Sequence, residues 1–233
     1  MDRSNVERAT VTESSVSLSF DREMSATDVE RIQKSLGART AFQVPPAVGA
    51  AYDRAHQTGF TKSCRPEVGA LMAVLAAAVP AGGRVLELGT GVGVGLAWVM
   101  HGLRSRSDVN VVSVEIDEEK SKLVSGAGWP EQVSLIVGDA REILSGTGTF
   151  DLVFLDVPGR LKASLIEKAI TCLRPAGQLL IDDMNRYWGK GVTSGKPVDR
   201  CDPHRLLGDP RMICSSLQFS NGMILGTRLG DSV

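Results

Sequence analysis

The sequence predicts an α/β domain: a doubly wound, mostly parallel sheet of seven strands that ends in an antiparallel hairpin and follows a set of N-terminal helices. Three observations carry this. From Arg84 onward, short apolar runs alternate with helical patterns, as parallel strands joined by crossover helices do. The first run, Arg84-Val-Leu-Glu-Leu88, passes through Gly-Thr-Gly-Val-Gly-Val-Gly95 into a helical pattern at Val94, Trp98, Val99 and Leu103. The last two runs are separated only by Ser220-Asn221-Gly222, too short for a crossover, so they form a hairpin.

The elements follow in order. Residues 1–24 are rich in Ser, Thr and charge and read as a loosely ordered arm, leaving residues 25–233 as a single domain. Within it, residues 25–83 read as a helical region before the sheet. A first helix starts after Ser25, paired with Asp28 as in a capping box, and ends near Gly37. Pro45-Pro46 opens a second helix through Tyr52 and His56 to Gly59, and Pro66 opens a third. Val68, Leu71, Met72, Leu75 and Val79 give that third helix a broad apolar face, and Pro80-Ala-Gly-Gly83 ends it. Strands read at 84–88, 110–115, 133–137, 151–155, 177–182, 212–219 and 223–229. Helices at 93–105, 118–126, 140–145 and 160–173 separate the first five, and residues 184–210 form a long insert before the hairpin.

Composition narrows the function classes. A chain of 233 residues with 42% hydrophobic side chains can bury a sizeable core. Its net charge of −1, with Lys and Arg scattered, argues against nucleic acid as a partner, because no basic excess is available to neutralise phosphates. Cys64, Cys172, Cys201 and Cys214 form no C-x-x-C pair and read as reduced thiols. The N-terminus lacks the apolar core of a signal peptide, and the longest apolar run, Ala70 to Val79, is far short of a membrane span. A cytoplasmic protein with no membrane partner is the expectation.

The glycine turn carries the chemistry. Gly89, Gly91, Gly93 and Gly95 occupy alternate positions between a strand and a helix start, where glycine lets a ligand approach the backbone and the helix offers unpaired N–H groups. A turn that bound nothing would not repay the backbone entropy of four such glycines. The dinucleotide pattern G-x-G-x-x-G fails, since Val94 or Leu96 falls at its third glycine. Acids stand at the ends of the parallel strands, where open α/β sheets bind ligands: Glu87, Glu115, Asp139, Asp156 and the pair Asp182-Asp183. Glu115 ends the second strand and suits a ribose diol. Asp139 also suits the N-cap of the helix that follows it.

The spacing E-x-G-x-G-x-G resembles motif I of class I S-adenosylmethionine-dependent methyltransferases, whose fold also ends in a hairpin. Within that class the chain is similar to the small O-methyltransferases of the catechol and caffeoyl-coenzyme A type. The similarity rests on Thr61-Lys-Ser-Cys-Arg-Pro-Glu-Val-Gly69, Leu86-Glu-Leu-Gly-Thr-Gly91, Val114-Glu-Ile-Asp117, Gly138-Asp-Ala140 and Asp151-Leu-Val-Phe-Leu-Asp156. The resemblance implies S-adenosylmethionine as cofactor, with Ser63, Glu87, Gly89, Thr90, Gly91, Gly93, Glu115, Ile116, Asp139, Ala140 and Asp156 around it. Asp139 then meets the adenine amino group and Glu87 supports the methionine end. It further implies a divalent cation such as Mg²⁺ on Asp156, Asp182 and Asp183, hard oxygen donors of the right kind. Two departures stand out. Asp183 replaces the family's Asn, and the family's D-x-x-K reads Asp156-Val-Pro-Gly159. Lys162 falls three residues late and should point elsewhere unless the Pro158-Gly159 turn redirects it.

Methyl transfer to a hydroxyl or amine needs a base or a cation that lowers the nucleophile's pKa, whereas a carboxylate nucleophile needs neither. Asp156, His56 and His204 are the candidate bases; His101 reads as structural. Tyr187 and Trp188, in the insert, either wall the acceptor pocket or anchor the loop locally. The leading expectation is methylation of a small-molecule acceptor, on a hydroxyl or carboxylate oxygen. The alternatives are N-methylation, a nicotinamide-dependent oxidoreductase and a non-catalytic adenosyl-binding domain. The arm and early helices could support a homodimer.

Overall fold

Seven strands hydrogen-bond in the order β3-β2-β1-β4-β5-β7-β6 in a computed structural model that describes residues 44–144, 146, 148–184, 203–218 and 220–230. They are β1 (Arg84–Leu88), β2 (Asn110–Glu115), β3 (Val133–Val137), β4 (Phe150–Leu155), β5 (Leu173–Ile181), β6 (Met212–Leu217) and β7 (Met223–Arg228). The first five run parallel, and β7 pairs antiparallel with both β5 and β6. The expected doubly wound sheet with its closing hairpin is therefore the observed one. The expected arm and first helix lie outside the described residues.

Helices α1 (Pro46–Gln57), α2 (Pro66–Ala77), α3 (Val94–Gly102), α4 (Glu118–Ser125), α5 (Ala140–Ile143), α6 (Gly159–Cys172) and α7 (Pro203–Leu207) complete the described elements. Proline sits at the first helical position of α1 and α2, where its missing N–H costs nothing. Among the described residues no helix is long and apolar enough to cross a membrane.

Successive strand residues face opposite layers. Val85, Leu152 and Phe154 pack with α1, α2 and α3, while Leu86, Leu88, Val153 and Leu155 pack against the buried face of α6. Both faces of the sheet are covered, so its strands read as continuous apolar runs. Strand β5 begins at Leu173, earlier than the sequence suggests. The Pro175-Ala176-Gly177 stretch looks like a turn, and the structure takes it as an irregularity within the strand, with Ala176 at φ 65° and the β4–β5 register shifted there.

Strand order reverses between β1 and β4, the two strands that follow different crossovers from the centre. Ligands of such sheets bind in the crevice beyond the carboxyl ends of that pair. Above it, α2 lies close against α3: a Cβ on Gly69 would come within 2.1 Å of the Trp98 indole. The Trp98 indole N–H donates to the Tyr52 hydroxyl at 3.3 Å, and that hydroxyl donates to the Cys64 carbonyl at 2.8 Å. This chain fixes the segment before α2 over the crevice. Gly69→Ala should therefore cost about 1–3 kcal/mol of stability through overpacking, measured by denaturant titration.

Candidate active site

The turn after β1 is shaped by what it must pass. The N–H groups of Gly89 and Thr90 both donate to the Val114 carbonyl, at 2.9 and 3.2 Å, which ties the turn to β2. Gly89 adopts φ +99°, and a Cβ there would fall 2.1 Å from the carbonyl oxygen of Asp156 at the end of β4. Only glycine lets the two strand ends lie so close. Gly95 serves a second approach, because its Cβ would fall 2.2 Å from the Glu87 carboxylate.

Glu87 is 1% exposed and accepts from the Ser113 hydroxyl at 2.5 Å, which in turn meets the Thr90 hydroxyl at 2.5 Å. Burial pushes its carboxyl up to about 8; the Ser113 hydrogen bond works against this, and Asp156 and Glu115 add to it. Burial likewise raises Asp156 to about 7, with Asp182 adding and Lys162 opposing. Asp182 reaches about 6, again chiefly through burial. The Cys64 thiol is held neutral by burial beside Asp156, Glu87 and Asp182.

These groups border one cavity of about 660 Å³, a volume suited to a cofactor and a small acceptor. At one end Glu115 accepts from the backbone N–H of Gly91 at 2.7 Å and of Asp117 at 3.0 Å, fixing its carboxylate over the glycine turn. Ile116 is largely exposed there and offers an apolar edge to the cavity. Asp139 caps α5, accepting from the Arg141 N–H at 2.8 Å, and the Arg141 guanidinium lowers its carboxyl to about 2. It also lines the cavity, so the capping and ligand-facing positions coincide. On the near wall, the Ser63 hydroxyl is buried with no hydrogen-bond partner, an orphan that a ligand atom would satisfy. Glycines clearing the backbone, a fixed acid and an orphan hydroxyl fit an adenosyl ligand with a polar tail.

The other end gathers Asp156, Asp182, Asp183, Lys162 and Asn221. Lys162 does not point away as the sequence suggests. Pro158 caps α6, and the helix carries Lys162 on the same stripe as buried Leu165 and Ala169, at spacings of three and seven. Its ammonium donates to the Asp182 carbonyl at 2.5 Å with 1% of the residue exposed. Asp156, Asp182 and Asp183, the expected cation ligands, border the cavity together, but among the described residues no group of three His, Cys, Asp or Glu has the geometry to hold a metal ion.

Ser63, Glu87, Gly89, Thr90, Gly91, Glu115, Ile116, Asp139, Ala140 and Asp156 thus line the cavity together. Two expected residues do not. Gly93, at φ +86°, starts α3 and is packed by Arg54, Val124 and Trp129. His56 is exposed in the last turn of α1 and lies off the cavity. Tyr187 and Trp188 lie outside the described residues, as does the His204 side chain. Sequence reasoning passed over Phe60, Ser113 and Asn221. Ser113 has a visible signal, a lone hydroxyl inside Val111-Val-Ser-Val-Glu115.

Residues 86–184 match the family model described as a methyltransferase domain. A provisionally named O-methyltransferase of Mycobacterium bovis is 30% identical over 175 residues, covering 70% of this chain and 76% of that protein. The chain belongs to the class I S-adenosylmethionine-dependent methyltransferases. A further relative of this family, from Mycobacterium sp. strain JLS and provisionally named an O-methyltransferase, is 32% identical over 58% of this chain; the chain spans 62% of that protein's length. The fold of this methyltransferase also matches the crystal structure of the O-methyltransferase TomG from Streptomyces achromogenes in complex with S-adenosylmethionine. The TM-score is 0.69 at 22% identity, over 86% of this chain and 98% of that one.

The three raised carboxyls make a stability prediction. The folded state keeps protons on Glu87, Asp156 and Asp182 that the unfolded chain releases near pH 4. Their contribution is complete below the unfolded values and is lost as pH rises through about 6, 7 and 8. The ligand-free protein should therefore show a melting temperature that falls as pH rises from about 5, just above the unfolded carboxylate range, to about 8, the Glu87 value. A flat or rising profile by calorimetry would contradict the burial of these groups.

Proposed function

We propose that this methyltransferase moves a methyl group from S-adenosylmethionine to an oxygen of a small-molecule acceptor. The observation that carries the reading is one cavity at the β1–β4 reversal, with an adenosyl-type cradle at one end and a carboxylate near its neutral point at the other. When bound, the cofactor would supply a sulfonium methyl to the acceptor oxygen by in-line displacement and leave as the neutral thioether.

The protein's own groups position and deprotonate. The Glu115 carboxylate, already oriented by two backbone N–H groups, has further lone pairs for a ribose diol. Asp139 would accept from the adenine amino group, Ile116 would pack on the ring, and the Ser63 hydroxyl would meet the polar tail. Glu87, stiffened by Ser113 and Thr90, supports the methionine end. Asp156 stands where β4 opens into the acceptor end; raised to about 7, it is matched to accepting a hydroxyl proton near neutral pH. Transfer would depend mainly on holding the acceptor oxygen and the methyl about 3–3.5 Å apart. Relatives provisionally named O-methyltransferases support the choice of oxygen over nitrogen as the acceptor atom.

The test is transfer of labelled methyl from S-adenosylmethionine to a panel of small hydroxyl and carboxylate compounds. With a hydroxyl acceptor the rate should rise with pH through about 7 as Asp156 loses its proton. Asp156→Asn should lower kcat by about 10²–10⁴-fold while S-adenosylhomocysteine still binds. An Asp156→Asn enzyme of undiminished kcat would remove Asp156 from the base role.

A further inference from the structure

At the acceptor end, the acids that would hold a divalent cation already have partners within the chain. The Asp182 carboxylate accepts from the Asp183 N–H at 2.7 Å, and the Asp182 carbonyl accepts from Lys162 at 2.5 Å. Asp183 stands at φ 58°, an uncommon backbone state for a residue other than glycine, and its carboxylate accepts from the Asn221 side-chain amide at 2.8 Å. That bond ties the end of β5 to the hairpin turn, as does the Met184 N–H donating to the Gly222 carbonyl at 2.8 Å. One oxygen of the Asp183 carboxylate is thereby held by the turn.

The positive charge of the site comes from the chain itself. A buried ammonium is costly unless anions surround it, and the Lys162 charge favours the ionised forms of both Asp156 and Asp182. Its stem is held by the apolar stripe that it shares with Leu165 and Ala169. A second cation beside this ammonium would meet like charge in a site of low dielectric.

We infer that the Lys162 ammonium fills the place of a divalent cation, making the acceptor end of this cavity a metal-independent site with a built-in positive charge. The inference rests on the methyltransferase reading and refines it. The acceptor it fits is one whose reacting oxygen carries or develops negative charge, a carboxylate or an acidic hydroxyl, lying against Lys162. The donor set, with its own cation and an Asp183 oxygen held by the hairpin turn, decides this.

Mn²⁺ serves as the probe, followed by electron paramagnetic resonance on the full chain, with S-adenosylhomocysteine affinity measured in the same samples. Wild type should show no specific Mn²⁺ site. Lys162→Met, which keeps the stem and removes the charge, should bind Mn²⁺ at least about tenfold more tightly than wild type, and Lys162→Gln should do likewise if the first variant fails to fold. One Mn²⁺ per wild-type chain, displaced by Mg²⁺ and lost in Asp182→Asn, would overturn the inference. Folded Lys162 variants that gain no Mn²⁺ affinity would overturn it too. Failure of wild type to bind S-adenosylhomocysteine would instead count against the cofactor reading, so the two failures are distinguishable.

Discussion

The contact on which the site depends is between two stretches of backbone. Strands β1 and β4 leave the sheet side by side, and the Gly89 α-carbon lies so near the Asp156 carbonyl that no side chain fits between them. A parallel sheet whose order reverses at this pair must open a crevice there. The glycine keeps the crevice narrow at its floor, so the glycine turn and the Asp156 carboxylate belong to adjacent strand ends.

Burial sets the chemistry of that crevice. Glu87, Asp156 and Asp182 are withdrawn from water and so bind protons more tightly than exposed carboxylates would. The site opposes this with a lysine, not with solvent. Lys162 comes from a helix whose remaining inward residues are apolar, so the ammonium is delivered by the same packing that seats α6 on the sheet. Fold and electrostatics are here one arrangement: shifting α6 to repack its core would also move the charge.

Much of this was legible in the chain. Strands β1, β2 and β3 begin and end where their apolar runs do; in β1 and β2 this is because both sheet faces are covered, while β3 is a half-exposed edge strand. The alternating glycines and the strand-end acids were readable because their spacing alone places them at one end of the sheet. What was not legible depends on direction. Whether Lys162 faces the cavity is decided by where α6 starts, at Gly159 after Pro158, and a shift of one residue would turn the side chain by about 100°. Gly93 reads as one more cradle glycine, and only its three-dimensional neighbours reveal a helix start packed by Arg54. His56 follows an apolar helical pattern that does not say which way its last turn faces.

Calorimetry of ligand binding to wild type and Gly89→Ala tests the central claim, that the crevice at the Gly89 turn holds an adenosyl sulfonium cofactor. The account predicts one S-adenosylhomocysteine per wild-type chain, no binding of NADH, and loss of S-adenosylhomocysteine binding in a folded Gly89→Ala variant. Wild type that binds NADH and not S-adenosylhomocysteine, or a folded variant that binds as tightly as wild type, would contradict it.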